Sequence, residues 1–231
     1  ALSRGLDLAT EIPEIDARKS VATGCSRLAK TALLACSRDE RFAMCAPCQT
    51  GGGGCPLAKR NFGENVSTEM QTFPHWYCRA YGKYVDNEQA MKFDQHLLLA
   101  SIAPRALLVE GFNEGWFDTK GEYLACRAAS PVWMFLGKSG LPDGVFPPNY
   151  DTSLVGPSFG YVRRGGAHGI SGSDWCWTLD FADGALKDQD ASRVLSLAGD
   201  GVQDDTAAIQ ARLDSGAACV YLPPPEKWYR I

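Results

Sequence analysis

The sequence predicts an α/β fold, a mainly parallel sheet covered by helices, and three observations predict it. Strand-like and helix-like runs alternate: residues 19–23 with 27–37, 42–47 with a long irregular insertion over 51–93, 105–111 with 119–130, and 159–164 with 173–186. Such alternation implies parallel strands joined by helical crossovers. Residues 22–30, Ala-Thr-Gly-Cys-Ser-Arg-Leu-Ala-Lys, lie between the first strand and the first crossover helix, where a nucleophile elbow sits. Downstream, the strand over 105–111 ends in an acidic, aromatic loop (residues 113–118) and the strand over 159–164 ends in Gly165-Gly166-Ala167-His168. Serine, then acid, then histidine is the chain order of α/β-hydrolases.

The bulk properties agree with a globular α/β chain. Its 231 residues are 45% hydrophobic, and 27 acidic against 23 basic residues leave a net charge of −4. Scattered basic residues and an acidic balance exclude the electrostatic footprint of a nucleic-acid binder. No run approaches the ~18 uninterrupted apolar residues of a membrane-spanning helix.

In chain order, residues 1–16 read as an amphipathic helix with Leu2, Leu6, Leu8 and Ile12 on its buried side. The segment lacks an initiator methionine, a basic leader and an apolar leader core. The strand over 19–23 follows, and the turn after it places Ser26 with its hydroxyl outside the backbone hydrogen-bond network. The Arg27 N–H is left facing developing negative charge. The alternative is that Ser26 merely caps the following helix. The strand over 42–47 contains Cys45-Ala-Pro-Cys48, with Cys55 further on. A structural zinc site usually adds a second cysteine pair or regularly spaced histidines, and this chain has only three histidines, so no metal is expected. Cys36 and Cys126, in apolar helical stretches, read as small buried hydrophobes, and nine cysteines leave at least one unpaired.

The insertion opens on Gly51-Gly52-Gly53-Gly54, which lacks the Lys-Ser/Thr of a phosphate loop and reads as a permissive turn near a site. Its aromatic stretch Phe73-Pro74-His75-Trp76-Tyr77 suits either a sugar platform or lid packing. Beyond Leu186 the character changes to a polar linker over 187–190. A new element opens at Gly199, with Asp205 or Thr206 suited to cap a helix, before a strand-like run over 219–222.

Over residues 2–186 the chain resembles the glucuronoyl esterases, carbohydrate esterases that cleave esters of glucuronic acid. The resemblance rests on the elbow Gly24-Cys25-Ser26-Arg27-Leu28-Ala29-Lys30 and on Arg60-Asn61-Phe62-Gly63-Glu64 and Phe73-Pro74-His75-Trp76. Asp94-Gln95-His96, Ile102-Ala103-Pro104-Arg105, Glu114-x-Trp116-x-Asp118, Gly165-x-x-His168 and Asp174-Trp175 follow in family order, closer to the bacterial than to the fungal branch. The resemblance implies Ser26 as nucleophile, His168 as general base, Arg27 at the oxyanion, and Lys30 and Trp116 at the uronate sugar. Two positions depart from the family pattern. Ala29 replaces a glycine, and Gln49 stands where many members carry an acid just before the glycine turn. The triad acid is therefore expected at Glu114, with Asp118 in reserve or serving as a helix N-cap.

The implied activity is hydrolysis of glucuronic acid esters, such as 4-O-methyl-glucuronoyl esters of xylan in lignin–carbohydrate linkages. It needs no cofactor, and no nucleic-acid or membrane partner is implied. A deacetylase on the same scaffold and a non-catalytic fragment are the alternatives. The family implies a secreted or periplasmic location. Residues 1–187 are expected to form a partial α/β-hydrolase domain whose earlier strands lie outside these residues, which leaves a sheet edge open. Residues 188–231 are similar to the opening of a pectate-lyase-like right-handed β-helix module.

Overall fold

The structure, a computed structural model, describes residues 1–112, 115–186, 202 and 204–214. It divides into two compact units, Ala1–Ile170 and Ser171–Ile231. The first holds α1 (Leu2–Ala9), β1 (Val21–Cys25), α2 (Arg27–Arg38), β2 (Met44–Cys48), α3 (Val66–Thr72), α4 (Gln95–Ala100), β3 (Ala106–Phe112), α5 (Thr119–Phe135), β4 (Thr152–Val155) and β5 (Phe159–Arg164).

The five strands form one sheet in the order β1-β2-β3-β5-β4. The first four in that order run parallel, as the alternation predicts, and β4 is antiparallel to β5. Every residue of β2, β3 and β5 is buried, the apolar run that a sheet covered on both faces demands. Among the described residues β1 is an edge strand, as expected. The short β4 was not predicted, because its four residues, Thr-Ser-Leu-Val, are partly exposed and show no clear period.

The terminal helix is shorter than the sequence predicts. It ends at Ala9, and of its apolar residues only Leu6 is buried, with Leu8 64% and Ile12 37% exposed. Pro13 disfavours helical backbone at Ile12, and Leu8 lies about 200° around the helix from Leu6.

The core is built where α2 and α5 pack with β2, β3 and β5. Leu33, Cys36, Cys45, Leu107, Val109, Cys126, Trp133, Phe159 and Tyr161 belong to it. Each large apolar side chain there contributes about 1.5–3 kcal/mol by leaving water. The Trp133 indole donates to the Arg105 carbonyl (2.9 Å), so the largest core residue leaves no polar atom unmet. Cys36 and Cys126 are fully buried. Cys45 and Cys48 stand three apart on β2 and so face opposite sides of the sheet. The C-x-x-C spacing therefore gathers no pair of thiolates.

Residues of the insertion are stapled by side chains that the family resemblance singles out. The Asp94 carboxylate accepts from the backbone N–H groups of Ala58, Lys59 and Gln95. The Gln95 amide donates to the Gly54 carbonyl. Arg105 donates to the carbonyls of Cys36, Asp39 and Phe42, closing the end of α2. These residues hold the loops that surround the strand ends.

In the second unit, α6 (Gly172–Leu186) is opened by Asp174, whose carboxylate accepts from the Ser171 N–H and hydroxyl, a reach-back like that of a capping box. Cys176 on α6 is disulfide-bonded. Asp205 immediately precedes α7 (Thr206–Asp214), and the Asp204 carboxylate accepts from the Thr206 N–H (2.9 Å). The linker over 187–190 and the strand expected over 219–222 lie outside the described residues.

Beneath the strand ends, Glu122 in the first turn of α5 is fully buried and accepts from the Thr50 N–H (3.3 Å) and hydroxyl (2.8 Å). The same hydroxyl accepts from the Cys55 N–H, so one carboxyl organises the start of the glycine turn. Burial pushes the Glu122 carboxyl well above the ordinary glutamate range, against the opposing hydrogen bonds from Thr50. A group whose folded-state affinity for a proton exceeds its unfolded-state affinity stabilises most below the unfolded pKa, about 4.3 for glutamate, and that stability is lost as pH rises above it. Glu122→Gln, which removes the titration, is therefore expected to gain thermal stability relative to the unsubstituted protein as the pH is raised from 4 to 8. Melting curves at the two pH values check this, and a difference that does not change with pH would contradict it.

Candidate active site

The site forms where β1 and β2 end at one level beside β3. Cys25 pairs with Cys48, and Cys48 with Glu110, across the parallel ladder. The strands β1 and β2 are left by residues with positive φ, Ser26 at 59° and Gln49 at 55°. The Ser26 N–H donates to the Cys48 carbonyl (3.0 Å) and the Gln49 N–H to the Glu110 carbonyl (2.8 Å), so each turn is tied to the neighbouring strand. Left-handed backbone at a non-glycine residue costs of order 1–3 kcal/mol and persists only where its surroundings impose it.

Gly24 allows the elbow. A Cβ there would meet the Leu28 carbonyl group at 2.7 Å, so α2 crosses β1 more closely than any other residue permits. The Ala29 methyl, at the first of the two departures from the family pattern, is fully buried and is accommodated. Ser26 makes no side-chain cap to α2, so its hydroxyl is not spent on the helix. Arg27 is the first residue of α2, where the backbone N–H is unsatisfied within the helix.

Ser26, Arg27, Glu64, Phe73, Trp76, Phe112, Trp116, Phe117 and His168 line a cavity of about 570 Å³, within the range that holds small ligands. Trp116 is 45% exposed on its wall and is not core. Phe73 and Trp76 stack with ring centroids 3.9 Å apart, and the Arg27 guanidinium lies 5.9 Å from the Trp76 ring. The wall is thus aromatic around a few polar groups.

His168 stands in the loop after β5. Its ring stacks on Phe117 (centroids 5.0 Å) and Phe112 (6.2 Å), which fix its plane. Its Nδ1 lies 2.6 Å from the Gln49 Oε1. Gln49, fully buried, thus occupies the place where a triad acid meets the histidine. Sequence reasoning marked that position and set it aside because an amide carries no charge; which way the amide points is a tertiary matter.

Of the other expected residues, Glu114 lies outside the described residues. Asp118 accepts from the Gly121 N–H as the N-cap of α5 and takes a two-pronged ion pair from Arg60 (2.8 and 3.2 Å). Its carboxylate serves helix and insertion. Lys30 is 13% exposed, and its three ammonium donors are met by Glu64 Oε2 (3.1 Å), Glu69 Oε1 (3.2 Å) and the Tyr77 hydroxyl (3.1 Å). Tyr77 and Tyr81 also donate to Glu69. Burial raises the Glu69 carboxyl above its ordinary range, opposed chiefly by the Lys30 charge. Lys30 therefore meets the cavity through Glu64, a lining residue that sequence reasoning did not single out.

The fold and this arrangement define a class of α/β protein in which a serine at a strand-to-helix elbow and a histidine in the loop after a later strand line one cavity. Within that class the chain belongs to the glucuronoyl esterase family: the family described as glucuronyl esterase, fungi, matches residues 1–137. The carbohydrate esterase MZ0003 of an unknown prokaryotic organism is 39% identical over 184 residues, covering 79% of this chain and 42% of that protein. The 4-O-methyl-glucuronoyl methylesterase of Hypocrea jecorina is 31% identical over 147 residues, 60% of this chain and 32% of that enzyme. Among solved structures, a glucuronoyl esterase from Solibacter usitatus superposes with a TM-score of 0.75 at 37% identity, covering 80% of this chain and 46% of its own. The chain thus spans less than half the length of these relatives.

Removing the cation from a buried cluster leaves uncompensated carboxylates, which costs about 3–5 kcal/mol. Lys30→Met is expected to lower stability by about 3 kcal/mol, read as a fall in denaturation midpoint at pH 7. An unchanged midpoint would show that the cluster does not depend on Lys30.

Proposed function

We propose that this chain carries the nucleophile, general base and sugar-facing wall of a serine esterase acting on glucuronic acid esters. The observation that carries the reading is the elbow serine Ser26 and the oriented His168 lining one cavity. In this reading the Ser26 hydroxyl attacks the ester carbonyl while His168 Nε2 takes its proton. The oxyanion is met by the Arg27 N–H, with the guanidinium nearby. Collapse expels the alcohol, which receives the proton from His168. Water then attacks the acyl-enzyme with His168 again as base, releasing the uronic acid and restoring Ser26.

Relatives named as carbohydrate esterase and 4-O-methyl-glucuronoyl methylesterase support this substrate class. Trp116, on the cavity wall, supplies a flat apolar surface for a pyranose ring. Lys30 acts on the sugar by holding Glu64 at the cavity, and Glu64 accepts from sugar hydroxyls. Glu114, which follows β3 by two residues, supplies the negative charge that an imidazolium calls for. Substrates of this kind, glucuronoxylan or lignin–carbohydrate esters, lie outside cells, in keeping with a secreted or periplasmic enzyme. The segment over 188–231 is read as the opening of a second, β-helix module.

The test is hydrolysis by the full-length protein of methyl 4-O-methyl-glucuronate against an acetylated xylo-oligosaccharide. The uronate ester is expected to be the better substrate, with kcat lowered by about 10³-fold or more in Ser26→Ala. Preference for the acetyl ester would favour a deacetylase, and equal rates for Ser26→Ala would remove the serine mechanism.

A further inference from the structure

We propose that Gln49 is the residue that sets the tautomer and orientation of His168, so that the third member of this site is a locked, neutral amide. The inference rests on the esterase reading and concerns how its base is prepared.

Gln49 is held at both ends. Its backbone N–H is tied to Glu110 on β3, and its positive φ turns the side chain off the strand. The side-chain Oε1 accepts from His168 Nδ1 (2.6 Å) and from the Gly169 N–H (3.1 Å). The side-chain Nε2 donates to the Gly169 carbonyl (2.8 Å) and to Cys48 Sγ (3.3 Å). A flipped amide would set its NH₂ against the Gly169 N–H and its oxygen against the Gly169 carbonyl, losing both of these contacts at once. Only one orientation satisfies all four partners.

That orientation decides the histidine. An acceptor 2.6 Å from Nδ1 requires the proton on Nδ1, which leaves Nε2 with the lone pair that a general base needs. An amide in an acid's place fails when it can turn and offer its NH₂ to the ring, which selects the wrong tautomer and costs about 10⁴-fold in kcat. Here the Gly169 peptide, next in the chain to His168, is read by both ends of the same amide, so ring and loop are positioned together. Arg164 donates to the Ala167 carbonyl (2.8 Å) and holds the other side of that loop. Phe112 and Phe117 fix the ring plane. Orientation is thus assigned to Gln49, and charge is left to a carboxylate such as Glu114.

The test is ¹⁵N NMR of the histidine rings of the full-length protein, at a pH where they are neutral, with the His168 signals assigned from His168→Gln. The unsubstituted protein is expected to show the Nδ1–H tautomer at His168. Gln49→Met, of similar length but without an acceptor, shifts His168 toward the mixture of a free imidazole and lowers kcat by 10²–10⁴-fold with little change in KM. Gln49→Glu and Glu114→Gln keep the Nδ1–H tautomer. If Gln49→Met does not fold, the unsubstituted protein and Gln49→Glu still decide, since an Nε2–H tautomer in either overturns the proposal. Retention of the Nδ1–H tautomer in Gln49→Met, or its loss in Glu114→Gln alone, overturns it as well. If the ring responds to Gln49→Met but no ester is hydrolysed, the esterase reading fails and the assignment of Gln49 stands.

Discussion

The site depends on the common level at which two parallel strands, β1 and β2, end beside β3. Because Cys25, Cys48 and Glu110 are in register, the chain leaves β1 and β2 at adjacent points, and each exit is pinned by one hydrogen bond to the next strand. Both exits take the left-handed region, which neither serine nor glutamine would adopt unaided. The packing of α2 against Gly24 imposes the first, and the Glu122–Thr50 contact, one residue beyond Gln49, steadies the second. Ser26 and Gln49 are therefore placed by backbone geometry before any side-chain choice is made.

A second constraint is the burial of charge beside the cavity. Two carboxylates, an ammonium and two phenols share one cluster around Lys30, and the glycine turn closes over it: a Cβ at Gly52 would meet the Glu64 carbonyl oxygen at 2.0 Å. Glutamates are rarely buried unless paired, and here the pairing ties the insertion to α2. The Arg60–Asp118 pair does the same for the start of α5. The insertion, irregular in sequence, is thus fastened by ionic and capping contacts as well as by the buried Cys55, Val66 and Met91.

Much of this was legible in the chain. The elbow, the parallel strands and the order of Ser26 and His168 follow from local pattern, because a strand–turn–helix junction is written in about nine neighbouring residues. The burial of Cys36 and Cys126 follows from their apolar neighbours, and the N-cap at Asp118 from its place before a helix. What was not legible depends on distant partners. Leu8 reads as a core residue until Leu6, about 200° around the same helix, is seen to take the buried side. Lys30 lies four residues past Ser26, as a sugar ligand would, but Glu64 and Glu69 claim its donors. Gln49 looks like the loss of an acid, and only the placement of Gly169 on both ends of its amide shows a held acceptor. The antiparallel β4 carries too few residues for a period.

The central claim is that this geometry makes Ser26 an activated nucleophile. Treatment of the full-length protein with a serine-reactive fluorophosphonate, followed by intact-mass measurement and peptide mapping, tests it most directly. The account predicts a single adduct on Ser26, slowed by a glucuronate ester and lost when His168 is replaced by alanine. No adduct, or one on another residue that forms equally well without His168, would contradict it.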